Sequence, residues 1–263
     1  MILAVTNQKG GIGKTTTCLN LGAAAALEGK NTCLIDFDPQ ANLTKTMVNL
    51  TEGQPTIYNV LNYFTKLPEA VMETTIENLY LIPSRNDLAG LERAGADDPE
   101  LPYRLYRELK PYADQFDLIL IDTPPTLGAL TINALTVATH LLIPIQPSFL
   151  ALQGTNDLLE TYRLVQNRLN LNLELLGVLI TLYDPRTTIA KEAIAEIQNA
   201  FGEKVLKTKI RRSIKIEESP ASGQSVFTYA PKSQGAEDYL RAYWELMNRI
   251  NPPVFNFHSG KEE

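Results

Sequence analysis

The stretch Lys9-Gly10-Gly11-Ile12-Gly13-Lys14-Thr15-Thr16 decides the reading of this chain. It carries the core of the G-x-x-x-x-G-K-[ST] pattern, with Gln8 where the first glycine would stand. Its context completes the match: the apolar run Ile2–Thr6 precedes the loop, and the helix-like stretch Thr15–Gly29 follows it. Glycines at 10, 11 and 13 let the backbone turn its N–H groups toward phosphate oxygens, where side chains would block the approach. The start of the following helix adds partial positive charge. In such a loop Lys14 reaches the β- and γ-phosphates of a nucleotide, and the Thr15 hydroxyl takes Mg²⁺.

On either side of this loop, short apolar runs alternate with helix-like segments. Thr32–Phe37, Leu79–Pro83, Leu118–Asp122, Leu141–Gln146 and Leu176–Leu182 are rich in Ile, Leu and Val and lack strict polar alternation. Strands covered on both faces read this way, as in a parallel sheet. Between and after them, Tyr103–Ala113, Ala129–Ala138, Leu150–Leu169, Lys191–Phe201 and Ala236–Ile250 carry helical spacing. The alternation predicts an α/β fold: a doubly wound, mostly parallel sheet with helices on both faces and right-handed crossovers. One domain is expected over residues 1–250, followed by a flexible tail at 251–263. The least regular segment, Gln54–Pro99, reads as a surface insertion.

Two further stretches complete the phosphate site. Leu118-Ile-Leu-Ile-Asp122 is an apolar run ending in an acid, the form of the Asp that supports Mg²⁺ through water. Ile35-Asp36-Phe37-Asp38-Pro39-Gln40 ends another strand with two acids. In an open α/β sheet the carboxyl ends of parallel strands line one crevice, so Gly13, Asp38 and Asp122 converge. Asp36 either joins them or braces the loop.

Composition narrows the class. A net charge of −6 over 263 residues argues against an unselective nucleic-acid coating protein, while leaving room for a local basic patch. Cys18 and Cys33 have no metal-ligand spacing and sit in apolar segments, as reduced core thiols do. The chain opens directly on a strand rather than on a charged segment followed by an apolar one, and its apolar runs fall short of the ~18 residues a membrane span needs. The expectation is a cytoplasmic protein with no membrane partner.

The motifs together resemble the ParA family of partition ATPases, whose deviant Walker A motif carries an extra signature lysine, here Lys9. The residues that carry the resemblance are Asn7-Gln-Lys9-Gly-Gly-Ile-Gly-Lys14-Thr-Thr-Thr17, Ile35-Asp36-Phe-Asp38-Pro-Gln40-Ala-Asn42 and Ile121-Asp122-Thr-Pro-Pro125. It continues through Ile143-Pro-Ile-Gln146-Pro147, Leu182-Tyr-Asp184-Pro-Arg186, Glu218-Ser-Pro220 and Gly235-Ala-Glu237. The resemblance implies an ATP-binding, Mg²⁺-dependent switch. Two ATP-bound subunits form a sandwich homodimer in which each Lys9 crosses to its partner's phosphates. Asp38 orients the attacking water, Thr15 binds the metal and Asp122 supports its water shell. The dimer binds double-stranded DNA without sequence preference, which places it on the nucleoid. A ParB-like or cargo-adaptor protein stimulates an otherwise weak ATPase activity. Plasmids, chromosomes or protein cargo are positioned in this way.

A basic run fits that expectation. Lys204, Lys207, Lys209, Arg211, Arg212 and Lys215 fall within a window free of Asp and Glu, and Lys232 follows nearby. Concentrated cations suit phosphate contacts without base readout. The rival is a membrane-cycling ATPase of the MinD type with the same nucleotide site. It would carry an amphipathic C-terminal helix, whereas this chain ends in Pro252-Pro253 and acids.

Overall fold

The computed structural model describes residues 1–94, 98–148 and 155–250. Its first half runs β1 (Ile2–Val5), α1 (Lys14–Leu27), β2 (Thr32–Asp36), α2 (Asn42–Met47), α3 (Ile57–Leu61), β3 (Met72–Glu73) and β4 (Leu79–Ile82). There follow α4 (Ala89–Ala94), α5 (Arg104–Leu109), β5 (Leu118–Asp122), α6 (Ala129–Val137) and β6 (His140–Ile145). The chain continues through α7 (Thr155–Arg168), β7 (Glu174–Tyr183), α8 (Thr188–Phe201) and β8 (Val205–Arg211). It closes with α9 (Ile214–Ala221), α10 (Val226–Tyr229) and α11 (Gln234–Ile250).

The strands form an eight-stranded sheet in the order β3-β4-β2-β5-β1-β6-β7-β8. Every pairing is parallel except β3 against β4. Strand residues divide between two apolar layers: Ile2 and Ala4 face one, Leu3 and Val5 the other. Both layers are dry, which is why these strands lack polar alternation. Helices α3, α5, α6, α7 and α8 contribute to the first layer; α1, α2, α9, α10 and α11 cover the second. The doubly wound expectation holds.

Residues 54–94 are not a surface insertion. Ile57, Val60 and Leu61 of α3, with Leu67 and Ala70, are buried in the first layer, and β4 pairs with β2 inside the sheet. Their elements are too short to show periodicity, but their apolar residues close the sheet's far end. The basic run at 205–211 is itself the edge strand β8. Residues 251–263 and the start of the helix expected over 150–169 lie outside the described residues.

β1 lies between β5 and β6, and the chain departs from it in both directions across the sheet. That is a topological switch point, where the carboxyl ends of the strands open a crevice.

Candidate nucleotide site

The loop after β1 is held from several sides. Thr6 N–H donates to Leu142 O at 3.1 Å, and Asn7 Nδ2 to Pro144 O at 2.8 Å. Asn7 Oδ1 accepts from the Lys9 amide at 3.1 Å, and Thr181 Oγ1 donates to Ile12 O at 2.7 Å. Gly11 and Gly13 take φ of 71° and 88°, a region that side chains disfavour. Helix α1 then starts at Gly13 with no side-chain cap and no acid in its first turn. Its leading N–H groups are thus left for an anion.

The two lysines differ sharply in environment. Lys14 is buried, its Nζ donating to Lys9 O at 3.1 Å. Burial lowers its pKa, opposed by Asp122 and Asp38. Lys9 is exposed, and its Nζ reaches Ser148 Oγ at 3.4 Å. Lys14 lines the cleft, and Lys9 does not.

Three carboxylates gather at the strand ends beside the loop. Asp36 and Asp122 are register neighbours on adjacent strands β2 and β5, and Asp38 follows just beyond. Asp36 accepts from Thr44 N at 2.8 Å, Thr44 Oγ1 at 2.7 Å and Asp38 N at 3.2 Å. It therefore braces the turn into α2. Burial pushes its pKa from 3.8 up to about 6, despite those hydrogen bonds. Asp38 accepts from Gln40 N at 2.8 Å, and its carbonyl from Ser84 Oγ at 2.9 Å.

Asp122 is 1% exposed, and its carboxylate oxygens make no well-formed hydrogen bond, with only the Thr15 side chain near enough to act as a donor. Burial first, and Asp36 second, push it well above the ordinary carboxylate range. A buried acid so poorly supplied with donors is costly in the nucleotide-free protein. Its chemistry fits a hydrated divalent cation, whose water would supply the missing donors. Thr15, at the mouth of the same cleft, would be the direct hydroxyl ligand.

Gly10, Gly11, Gly13, Lys14, Thr15, Thr16 and Asp38 line a cleft of about 800 Å³, while Asp36 and Asp122 are buried and do not reach its surface. Thr181 and Tyr239, which no sequence motif marks, line it as well, and so does Arg212, one of the cations expected on DNA. Only the packing of β7, β8 and α11 brings them there.

Comparison with known proteins agrees with this geometry. Residues 1–175 match the family described as AAA domain. The sporulation initiation inhibitor protein Soj of Bacillus subtilis is 42% identical over 91% of this chain and 95% of its own length. The chromosome partitioning protein ParA of Myxococcus xanthus is 37% identical over 95% of this chain and 89% of its own. The chain belongs to the ParA/Soj family of partitioning ATPases. A solved structure of cobyrinic acid a,c-diamide synthase from Mycobacterium smegmatis, with bound ATP analogue and magnesium, superposes with a TM-score of 0.83. It is 34% identical and covers 95% of this chain and 96% of that one.

In this ParA-family chain the basic run divides. Lys207, Lys209 and Arg211 share one face of edge strand β8 and line a groove of about 400 Å³ with Arg241. Arg211 is held by buried Asp238 through Nε at 3.1 Å and Nη2 at 2.5 Å. Arg212 turns into the nucleotide cleft and pairs with Glu217 at 3.4 Å. Lys215 pairs with Glu218 at 2.9 Å and sits over the Tyr229 ring. Lys204 and Lys232 are exposed. The seven cations expected on DNA thus have different surroundings, and Arg211, Arg212 and Lys215 each have an acidic partner.

Proposed function

We propose that this partitioning ATPase is an ATP-dependent dimerising switch that binds DNA without sequence preference and positions plasmid, chromosome or protein cargo. One observation carries the reading. Two lysines share one phosphate loop, Lys14 buried toward the cleft and Lys9 exposed without a carboxylate partner among the described residues. An unpaired cation at the mouth of an anion site suits a phosphate held by a second copy of the chain. Hydrolysis removes that γ-phosphate and with it the grip.

Within one subunit the chemistry needs few groups. Lys14 and the first N–H groups of α1 bind and orient the phosphates, and Asp38 holds the attacking water against the γ-phosphorus. The water's oxygen joins phosphorus as the bond to the ADP oxygen breaks, giving ADP and inorganic phosphate. Thr15, and Asp122 through a water, would hold Mg²⁺, which would supply neutralisation of the phosphate charge. Turnover is weak until a ParB-like or cargo-adaptor protein engages the dimer.

DNA binding is supported by Lys207 and Lys209 on the sheet edge, with Lys204 close by. About two to four phosphates per protomer, doubled by dimerisation, give a slope of log affinity against log salt of roughly −4 to −7. Light scattering with ATP or ADP, followed by gel shifts on random duplex across a salt series, tests both halves. A monomer in ATP and Mg²⁺ refutes the switch; an ATP-bound dimer that ignores DNA at low salt refutes nucleoid association. Co-sedimentation with anionic vesicles would then favour the MinD-type alternative. Among the described residues no helix is long and apolar enough to cross a membrane, and the apolar face of α11 is spent on α1 and β8.

A further inference from the structure

The loop that connects Asp122 to α6 carries Pro125 into the nucleotide cleft, yet its grip comes from outside the cleft. Helix α6 begins at Gly128, which has no side chain with which to cap the leading N–H groups. Glu92 of α4 takes that place. Its Oε2 accepts the Leu130 amide at 2.8 Å, and its Oε1 accepts Thr126 Oγ1 at 3.0 Å. One carboxylate therefore ties together both sides of the turn. A negative group at a helix start is also favoured by the helix dipole.

Gly128 is part of the same device. A Cβ there would lie 1.9 Å from Glu92 Oε1 and 2.7 Å from its Cδ, so the carboxylate occupies the space a side chain would need. The backbone at Gly128 has φ of −81°, which any residue adopts. Any larger residue here would displace the Glu92 carboxylate from its seat, with no backbone in the way.

The loop is tied from inside as well, by Thr123 Oγ1 donating to Val5 O at 3.0 Å and Thr131 Oγ1 donating to Thr126 O at 2.6 Å. Glu92 also borders a recess of about 580 Å³ together with Asp38, Pro124 and Pro125. The loop's root is Asp122, and the recess wall includes the water-orienting Asp38. Where the turn sits thus sets how the two catalytic strand ends face each other.

We infer that Glu92 is a positioning residue for ATP hydrolysis: its carboxylate clamps the 123–130 turn and so holds the Asp122 strand end in register with Asp38. The inference rests on the ATPase reading of the site. Misplacing reacting groups by about 1 Å costs up to ~10²-fold in rate. Glu92→Ala is expected to lower single-turnover hydrolysis about tenfold or more, with the ATP concentration at half-maximal rate changed less than about twofold. Gly128→Ala evicts the same carboxylate and reproduces the loss. The double variant is no worse than either single one, because both remove one contact. Glu92→Gln, which keeps one acceptor oxygen and disturbs folding least, falls between wild type and Glu92→Ala.

A second readout does not involve ATP. Amide exchange followed by mass spectrometry on the nucleotide-free protein should show faster exchange in peptides covering Leu130 for both single variants. A cap that only supports the fold would lower the melting temperature and leave the turnover of folded variants within about twofold of wild type; that result overturns the inference. So do losses that multiply in the double variant, or exchange at Leu130 that does not change. A wild-type protein that hydrolyses no ATP ends the ATPase reading itself, whereas active wild type with equally active variants ends only the clamp.

Discussion

Replacing Asp122 by Asn in the nucleotide-free protein is expected to stabilise it at pH 7. The carboxylate is buried beside Asp36 across the β2–β5 register, with the Thr15 side chain its one nearby donor and no well-formed hydrogen bond. Its folded pKa lies well above 3.8, so between those values the native state holds a proton that the unfolded chain has released. A raised acid of this kind contributes stability below the unfolded pKa that is lost as pH rises. Asp36, raised to about 6, adds to the same slope. Protonation limits the size of the effect. From 3.8 to pH 7 is a little over three units at about 1.36 kcal/mol each, so Asp122 costs at most about 4 kcal/mol there. Asn keeps the shape without the charge, and its amide donates to neighbouring carboxylates. A gain of about 1–3 kcal/mol raises the melting temperature roughly 3–10 °C in a chain of this size.

Circular dichroism melts at half-unit steps from about pH 4.5 to 7.5, wild type against Asp122→Asn, would check this. The variant should be near parity at the acid end, and its advantage should widen toward neutral pH. Mg²⁺ with ATP should reverse the order, because wild type then gains binding free energy that the variant largely lacks. An Asn protein that is less stable at pH 7, or a difference independent of pH, would show that Asp122 is not strained.

Three further outcomes are expected. Lys9→Ala should abolish ATP-driven dimerisation by light scattering while ATP binding persists, whereas Lys14→Ala loses both. Asp38→Ala should bind ATP and dimerise yet turn over about 10²-fold more slowly or less, so that ATP-bound dimers accumulate in a phosphate-release assay. Lys207→Glu with Lys209→Glu should lower DNA affinity and flatten the salt slope at unchanged melting temperature. Arg211→Ala should instead lower stability by about 1–3 kcal/mol, because it takes the guanidinium from buried Asp238 and leaves it only the residue-211 amide and Gln234.

What could be read from the chain alone depended on how far apart the cooperating residues are. The phosphate loop is contiguous, and its glycines, lysine and threonine have fixed offsets, so its geometry was legible in full. Asp38 and Asp122 were legible for a topological reason: parallel strands place their carboxyl ends on one side. That Asp36 stands directly beside Asp122 was not, because it needs the strand order β2–β5 and the register, which no local pattern encodes. Residues 54–94 were misjudged because α3 and α4 span only five and six residues, below the length at which helical periodicity shows. Glu92 lies 38 positions from Leu130, and nothing near either residue announces the contact. The run Val205–Arg211 carries a different lesson. Lys207, Lys209 and Arg211 alternate with Leu206, Thr208 and Ile210, the period of a strand with one wet face, but counting charges hid the alternation. Lysines on an edge strand also discourage unwanted pairing, so part of that charge would be needed without any DNA. Arg211 sharpens the point: with its fork locked on Asp238, it counts as a cation in the sequence but has little charge left to give a phosphate. Charge density along a chain is therefore evidence for an anionic partner only after each cation's intramolecular partner has been found.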